Sequence, residues 1–384
     1  MKQIIPYGKQ NITQEDIDAV VETLKSDFLT QGPKVNEFEK SFANYIGAKY
    51  AIAVANGTAA LHLSTLALNV DQTTNVITTP ITFSASANCV KYCGGNIFFC
   101  DIDPQTFLID IEKLEALIVS KPLGFFDGII PVDFAGNAVN LEKVKRIAQK
   151  YKLWIIEDAC HAPGGYFIDS AGAKQKCGNG NFADLAIFSF HPVKHIACGE
   201  GGMITTNNET LYKRLLSLRT HGITKNPEQM IENHGGWYME MQELGYNYRM
   251  PDVLCALGIS QLKRATMSLK KRIEIADIYK KAFENNKNIT LPKYKDGHAF
   301  HLYIIQVDER LDLYNYLKDN NIQSQVHYIP VHTMPYYQNL GFKKGDFPLS
   351  ETYYNKCLSL PIYPTLTIEE QTYVINCVNN FYNK

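Results

Sequence analysis

The stretch Asp184-Leu185-Ala186-Ile187-Phe188-Ser189-Phe190-His191-Pro192-Val193-Lys194 decides how this chain is read. Its first five residues pattern as a strand that is apolar after its first residue. The chain then turns through a proline to a lysine, and Gly199-Glu200-Gly201-Gly202 follows as a tight turn. Lysine is rarely buried in an apolar stretch without a task. Upstream, Leu153-Trp154-Ile155-Ile156 patterns as a second strand and runs into Glu157-Asp158-Ala159-Cys160-His161.

Working outward, the same rhythm recurs. Strands are predicted at Tyr50–Val54, Asn75–Thr78, Asn96–Cys100, Gly128–Val132, Leu153–Ile156, Asp184–Phe188 and Met203–Thr206. Several are continuous apolar runs, the mark of strands covered on both faces. Amphipathic helices fall between them, as at Leu141–Tyr151 and Leu211–Leu218. This is the pattern of an α/β domain with a mostly parallel, seven-stranded sheet. Before it, Thr13 reads as the N-cap of a helix whose apolar face is Ile17, Val20, Val21 and Leu24, and Val35–Tyr45 reads as a second helix. Pro251 fits an N1 position, with one long helix running from it to about Tyr279. The rest reads as a smaller α+β domain. It has strands at Leu302–Val307 and Ser324–Tyr328, a helix around Leu311–Lys318, and a last helix from Ile368 to Phe381 opened by the Thr367/Glu370 capping box. The division is 1–250 for the large domain and 251–384 for the linker helix and small domain.

Composition bounds the partners. The 384 residues are 45% hydrophobic and 20% charged, with a formal net charge of -1. That is ordinary globular composition and offers no attraction to nucleic acid or an anionic membrane. No apolar run approaches a membrane span, and the start of the chain, Met1 to Tyr7, has no signal-peptide h-region. The nine cysteines are odd in number, scattered and without a C-x-x-C pair, which suits a reducing cytoplasm better than a disulfide framework.

A lysine and an acid at the ends of two buried strands suit pyridoxal phosphate. The amine bonds the aldehyde, and the carboxylate keeps the pyridine nitrogen protonated so that the ring accepts electrons. The plainer readings are an exposed loop lysine for Lys194 and an N-cap for Asp158. Asn56-Gly57-Thr58-Ala59 opens a helix straight after a strand, where free N–H groups and the dipole favour an anion. Thr58 and Ser189 could hold a phosphate there; an ordinary N-cap is the alternative. Phe83 could stack on a ring, or simply be core, and His161 could be a satisfied, half-buried histidine. A metal site from His191, His195 and Cys198, with Cys160 and His161, is disfavoured, because Pro192 spoils the helical spacing of the two histidines. No metal is expected.

Taken in order, these pieces resemble the DegT/DnrJ/EryC1/StrS sugar aminotransferases. The matching stretches include Leu29-Thr30-Gln31-Gly32-Pro33, Asn56-Gly57-Thr58-Ala59-Ala60-Leu61, Thr79-Pro80-Ile81-Thr82-Phe83 and Glu157-Asp158-Ala159-Cys160-His161-Ala162. Ser189 to Lys194, Gly199-Glu200-Gly201-Gly202, Arg219-Thr220-His221-Gly222, Leu244-Gly245-Tyr246-Asn247-Tyr248-Arg249-Met250 and Val326-His327-Tyr328 complete the set. The resemblance implies the pyridoxal-phosphate-dependent transferase fold of type I. It implies Lys194 as the covalent anchor, Asp158 on the pyridine nitrogen and His161 by the phenolic oxygen. It further implies Thr58, Ala59 and Ser189 on the phosphate, Phe83 on the ring face, and Asn247 reaching the phosphate site of the neighbouring subunit of a homodimer. Tyr7, His327 and Tyr328 are candidates for the sugar nucleotide.

Within the family, His191 to His195 and Trp237 to Arg249 are most similar to the UDP-4-amino-4,6-dideoxy-N-acetyl-β-L-altrosamine transaminases of pseudaminic acid biosynthesis. That implies amination of C4 of a UDP-linked 4-keto-6-deoxy sugar with L-glutamate as donor. Cys198 and the insertion-like Phe167–Cys177 depart from that branch. The alternatives are a transaminase for C3 or for a dTDP- or GDP-sugar, a sugar dehydratase, and a non-catalytic member of the fold. Lys194 argues against the dehydratase, which carries histidine there. A dinucleotide-binding dehydrogenase is disfavoured because no G-x-G-x-x-G follows a strand.

Overall fold

Strands apolar on both sides need cover on both sides, and the fold supplies it. In the computed structural model, which describes residues 4–382, seven strands form one sheet. They are β1 (Tyr50–Val54), β2 (Asn75–Thr78), β3 (Asn96–Phe99), β4 (Gly128–Ile130), β5 (Trp154–Asp158), β6 (Leu185–Ser189) and β7 (Gly202–Thr206). All seven expected strands form, with ends displaced by at most two residues. The order across the sheet is β1-β7-β6-β5-β4-β2-β3. Pairing is parallel from β6 through β5, β4 and β2 to β3, and only β7 runs against its neighbours, β6 and β1.

Successive side chains point to opposite faces. Ile155 and Phe188 therefore enter one core with Phe38, Phe42 and Phe190. Ile156 and Ile187 enter the other with Ile52, Leu61 and Leu63. The short insertion folds as a hairpin, Tyr166–Ile168 against Lys174–Lys176.

The first helix forms at Gln14–Leu24 with Thr13 as its cap, the Thr13 N–H donating to the Asp16 carboxylate at 2.9 Å. Its inward face is not the expected one. Ile17 and Leu24 are 46% and 55% exposed, while Asp16 and Thr23 are buried. The reason is an ionic lock: Asp16 accepts from Arg264 and from Gln261 Nε2 at 2.8 Å, which turns the polar edge of the helix onto Asp252–Lys263.

Pro251 caps that second helix rather than opening it, and the expected single long helix is two. Arg264 leaves helical geometry (φ −110°, ψ 7°), its guanidinium held by Asp16 and the Asn11 carbonyl, before Ala265–Phe283 resumes.

The C-terminal region has its own core of Ile5, Tyr279, Phe283, Tyr303, Leu317, Leu358 and Val374. β8 (Tyr303–Gln306) pairs antiparallel with β9 (Cys357–Leu360), a strand the pattern did not reveal. Ser324–Tyr328 was expected as a strand and is not one. It touches the sheet only at Gln325–Ser359, leaving the following residues free to turn toward the large sheet. The last helix, Ile368–Tyr382, has the expected capping box, with Thr367 and Glu370 exchanging bonds of 3.0 and 3.1 Å. Among the described residues no helix is long and apolar enough to cross a membrane. Met1 to Gln3, where the reading of the N-terminus begins, lie outside them.

Candidate active site

The carboxyl ends of β1, β5 and β6 meet on one edge of the sheet, where ligands of open α/β folds sit. A cavity of about 440 Å³ opens there, between that edge and the segments around His301 and His327. Asp158, His161, Thr58, Ser189, Phe83, Lys194, Tyr7, His327 and Tyr328 all line it. A larger surface cleft beside Lys143 and Lys293 shares none of these residues.

Asp158 is the last residue of β5 and is buried. Its two carboxylate oxygens are each held, Oδ2 by the Ser86 hydroxyl at 2.6 Å and Oδ1 by the Cys160 N–H at 3.2 Å. Ser86 is in turn bonded to Thr82 at 2.7 Å. Glu157, one residue earlier, points to the opposite face of the sheet and accepts from the Gly178 N–H at 2.9 Å.

His161 is buried and wholly engaged. The Ala135 N–H donates to its Nδ1 at 3.2 Å, and its Nε2 lies 3.1 Å from the Tyr328 hydroxyl. Burial holds the imidazole well below its usual pKa, with Lys194 the next contributor. A neutral ring with Nδ1 accepting carries its proton on Nε2 and donates it to Tyr328. The proton of Tyr328 is then left to the cavity. The hydroxyl of Tyr328 is thus a hydrogen-bond donor that lines the cavity beside His161.

Lys194 follows β6 through a turn closed by its N–H on the His191 carbonyl at 2.8 Å. Its Nζ is 3.5 Å from His301 Nε2. Burial pulls the amine below its usual pKa, Cys160 and Asp158 oppose this, and Arg272 adds to it. A lowered lysine pKa is what a nucleophilic amine needs.

At the end of β1, Asn56 caps helix Gly57–Ala67 by accepting from the Ala59 N–H at 2.8 Å. Ala59 has thus spent its donor, and the first-turn N–H groups of Gly57 and Thr58 are the ones without intrahelical acceptors. A Cβ on Gly57 would come within 3.0 Å of Ser189 Cβ, so the cradle is close-fitting. Phe83 is 60% exposed and leans on Tyr328 with ring centroids 6.2 Å apart. Tyr7 packs on His327, which is fixed by Ser359 at 2.9 Å. Asn247 is exposed and does not line the cavity.

His191, His195 and Cys198 do not assemble as ligands. His195 donates to the Ala299 carbonyl at 2.8 Å and His191 is exposed. Among the described residues the one group of metal-type donors is Asp133, Glu157 and Cys177, on the far face of β5. Ser86 and His301 were missed by the sequence reading. Ser86 had a signal, lying one helical turn past Thr82, whereas nothing local to His301 marks it.

Pyridoxal phosphate fits this donor set: an amine, a fixed carboxylate, an offered hydroxyl and a helix N-terminus with a serine beside it.

The comparisons agree. A Bacillus subtilis relative, the spore coat polysaccharide biosynthesis protein SpsC, is 40% identical over 98% of this chain and 96% of its own. The UDP-4-amino-4,6-dideoxy-N-acetyl-beta-L-altrosamine transaminase of Campylobacter jejuni strain 81-176 is 39% identical over 97% of this chain and 96% of its own. The solved structure of Helicobacter pylori PseC, an aminotransferase involved in the biosynthesis of pseudoaminic acid, superposes with a TM-score of 0.89 at 30% identity. It covers 99% of this chain and 100% of that one. The model of the DegT/DnrJ/EryC1/StrS aminotransferase family matches residues 10–379, and the chain belongs to that family of pyridoxal-phosphate-dependent enzymes.

Proposed function

We propose that this chain transfers an amino group from L-glutamate to C4 of a UDP-linked 4-keto-6-deoxy-N-acetyl sugar, in pseudaminic acid or related nucleotide-sugar biosynthesis. The observation that carries the reading is the pairing of Lys194 and a doubly held Asp158 in one cavity at the sheet edge. Pyridoxal phosphate, when bound, supplies an aldehyde and a ring that accepts electrons.

The residues divide the work. Asp158 holds a proton on the ring nitrogen, and Ser86 and Cys160 keep its carboxylate aimed. Lys194 would be the anchor and, once displaced, would take the proton from the substrate carbon at Nζ and then give it up again, one amine serving as base and acid. Tyr328 donates its hydroxyl proton to an oxygen of the ring or substrate, its direction set by His161. Gly57, Thr58 and Ser189 bind the phosphate, with Ala59 acting through the cap. Phe83 covers the ring face, and Tyr7 and His327 face the sugar nucleotide. The large domain would be 1–250 and the small domain 251–384.

A homodimer completes the site. Ile231, Trp237, Met241 and Leu244 are 65–89% exposed on the segment leading to Asn247, and Phe28 and Leu29 are about half exposed beside the first helix. Apolar surface of this extent is a mark of association, and a second copy would bring Asn247 to the phosphate. No disulfide joins the cysteines among the described residues, which supports a cytoplasmic setting.

The test is an absorbance spectrum of the protein with pyridoxal phosphate, before and after L-glutamate. The wild type should show a visible band that moves to the near ultraviolet, and Lys194→Ala should lose the exchange. A wild type that binds no cofactor would refute the reading. SpsC, 40% identical, bears a different name, so a panel of UDP- and dTDP-ketosugars with product analysis then fixes the sugar and carbon.

A further inference from the structure

Four buried imidazoles, His161, His195, His301 and His327, lie close enough to Lys194 to feel its charge, and they are not equivalent. His161 packs against His301 with ring centroids 4.3 Å apart and planes tilted by 40°, and the His195 ring centroid lies 5.7 Å from that of His301. The tautomers of two are fixed by the backbone. The Ala135 N–H makes His161 Nδ1 an acceptor, and the Ala299 carbonyl makes His195 Nε2 a donor. His301 has no such fixture. Its Nδ1 is buried without a partner, and its Nε2 is 3.5 Å from Lys194 Nζ.

The backbone of His301 is held firmly all the same. Arg272 is 1% exposed and, among the described residues, bonds no carboxylate. It donates to the carbonyls of Phe300, His301 and Ile362 at 3.2, 3.3 and 3.0 Å. The charges that weigh most on His301 are Lys194, His161, His195 and Arg272, none of them an acid. Protonating His301 there is unfavourable, so it stays neutral and can present a lone pair. Asp158, a carboxylate lining the same cavity, has one bond on each oxygen already.

We propose that His301 is a further catalytic residue, whose Nε2 accepts a hydrogen bond from the Lys194 ammonium that forms during proton transfer. This rests on the transaminase reading above. When the substrate C–H bond breaks, its electron pair stays with the carbon and the conjugated ring, and the proton forms a new N–H bond at Nζ. His301 breaks no bond. The tautomer that offers the Nε2 lone pair leaves Nδ1–H unpaired, which only a charge-assisted bond offsets. The interaction is therefore stronger when Lys194 is charged than when it is neutral, and a contact that strengthens as charge develops speeds the step.

The experiment has two arms. In the apoenzyme, Lys194 is labelled with a small amine-reactive reagent across pH and read by peptide mass spectrometry. His301→Leu, lacking the acceptor, should move the half-labelling pH down by about one unit, a ~10-fold change in proton affinity. His301→Gln, whose amide oxygen reaches the Nε2 position, should restore most of it, and His301→Asn, which reaches only the Nδ1 position, should not. In the holoenzyme, His301→Leu should slow the glutamate half-reaction by ~10- to 100-fold with little change in KM. A labelling midpoint in His301→Leu that is unchanged or raised overturns the proposal, as does equal behaviour of the Gln and Asn variants. Failure of the transaminase reading shows separately, as a wild type that does not respond to glutamate while its Lys194 still titrates.

Discussion

The sheet-edge wall of the cavity, with Asp158, Ser189 and Lys194, and the facing wall, with His301, His327 and Tyr328, are held in place by different means. On the sheet edge, main-chain ladders set positions. Asp158 pairs with Ile187 on one side and bridges to Val132 on the other, so its register follows from main-chain pairing. The facing wall lies on irregular chain and is braced by side chains from distant elements. Arg272 holds the carbonyls at 300 and 301, and the Tyr353 hydroxyl donates to the His327 carbonyl at 2.6 Å. A site built this way has a rigid half carrying the cofactor chemistry and a half whose placement depends on how the C-terminal region packs.

The largest effect should come from the rigid half. Asp158→Asn keeps an acceptor for Ser86 or Cys160 but removes the charge that would hold a proton on the ring nitrogen. The expected outcome is a loss of about 10³-fold or more in the glutamate-driven spectral conversion. The melting temperature should stay within a few degrees of wild type. Full conversion at the wild-type rate would show that the sheet edge is not where the ring sits.

On the facing wall, Tyr328→Phe tests the chain from Ala135 through His161. It leaves the His161 Nε2–H buried without an acceptor, costing about 1–3 kcal/mol of stability. It also removes the hydroxyl proton from the cavity, slowing the half-reaction by roughly 10- to 100-fold. Urea midpoints and stopped-flow rates separate the two losses. A variant destabilised but equally fast would mean that Tyr328 props His161 and does nothing to substrate.

The same contrast explains what the sequence could disclose. β1, β5 and β6 were legible because strands covered on both sides are apolar runs, and chemistry placed at their ends stands next to an easily read element. Asp158, Ser189 and Lys194 came with them. His301 and the β9 strand were invisible because nothing in their local pattern reports the long-range contacts with Arg272 and Tyr303 that position them. The first helix shows a third case. Its cap was readable from Thr13 and Asp16, yet its inward face was not, because Asp16 takes its partners from residues 261 and 264. The apolar stripe left outside is itself the kind of surface a second copy would cover.

The smallest effect lies on the side of β5 away from the cavity, where Glu157 and Asp133 face each other with Cys177. Burial raises both carboxyl pKa values, Asp133 to about 6 and Glu157 well above its usual range. The charge of Asp133 raises Glu157 further, while a hydrogen bond from protonated Glu157 eases Asp133, so the pair is best satisfied with a shared proton. A carboxyl whose folded pKa is raised contributes most below its unfolded pKa, near 4. That contribution is lost as pH climbs through the folded value, because the folded state then binds protons that the unfolded state has released. Glu157→Gln removes the demand. Its amide oxygen can still accept from Gly178, and its NH₂ can donate to an ionised Asp133. The variant should therefore be more stable than wild type by about 1–2 kcal/mol at pH 8, with the gain shrinking toward pH 4.5. Thermal or urea midpoints across that range give the slope. A gain independent of pH would mean better packing rather than a relieved proton, and a loss at every pH would mean that the shared proton supports the strand carrying Asp158.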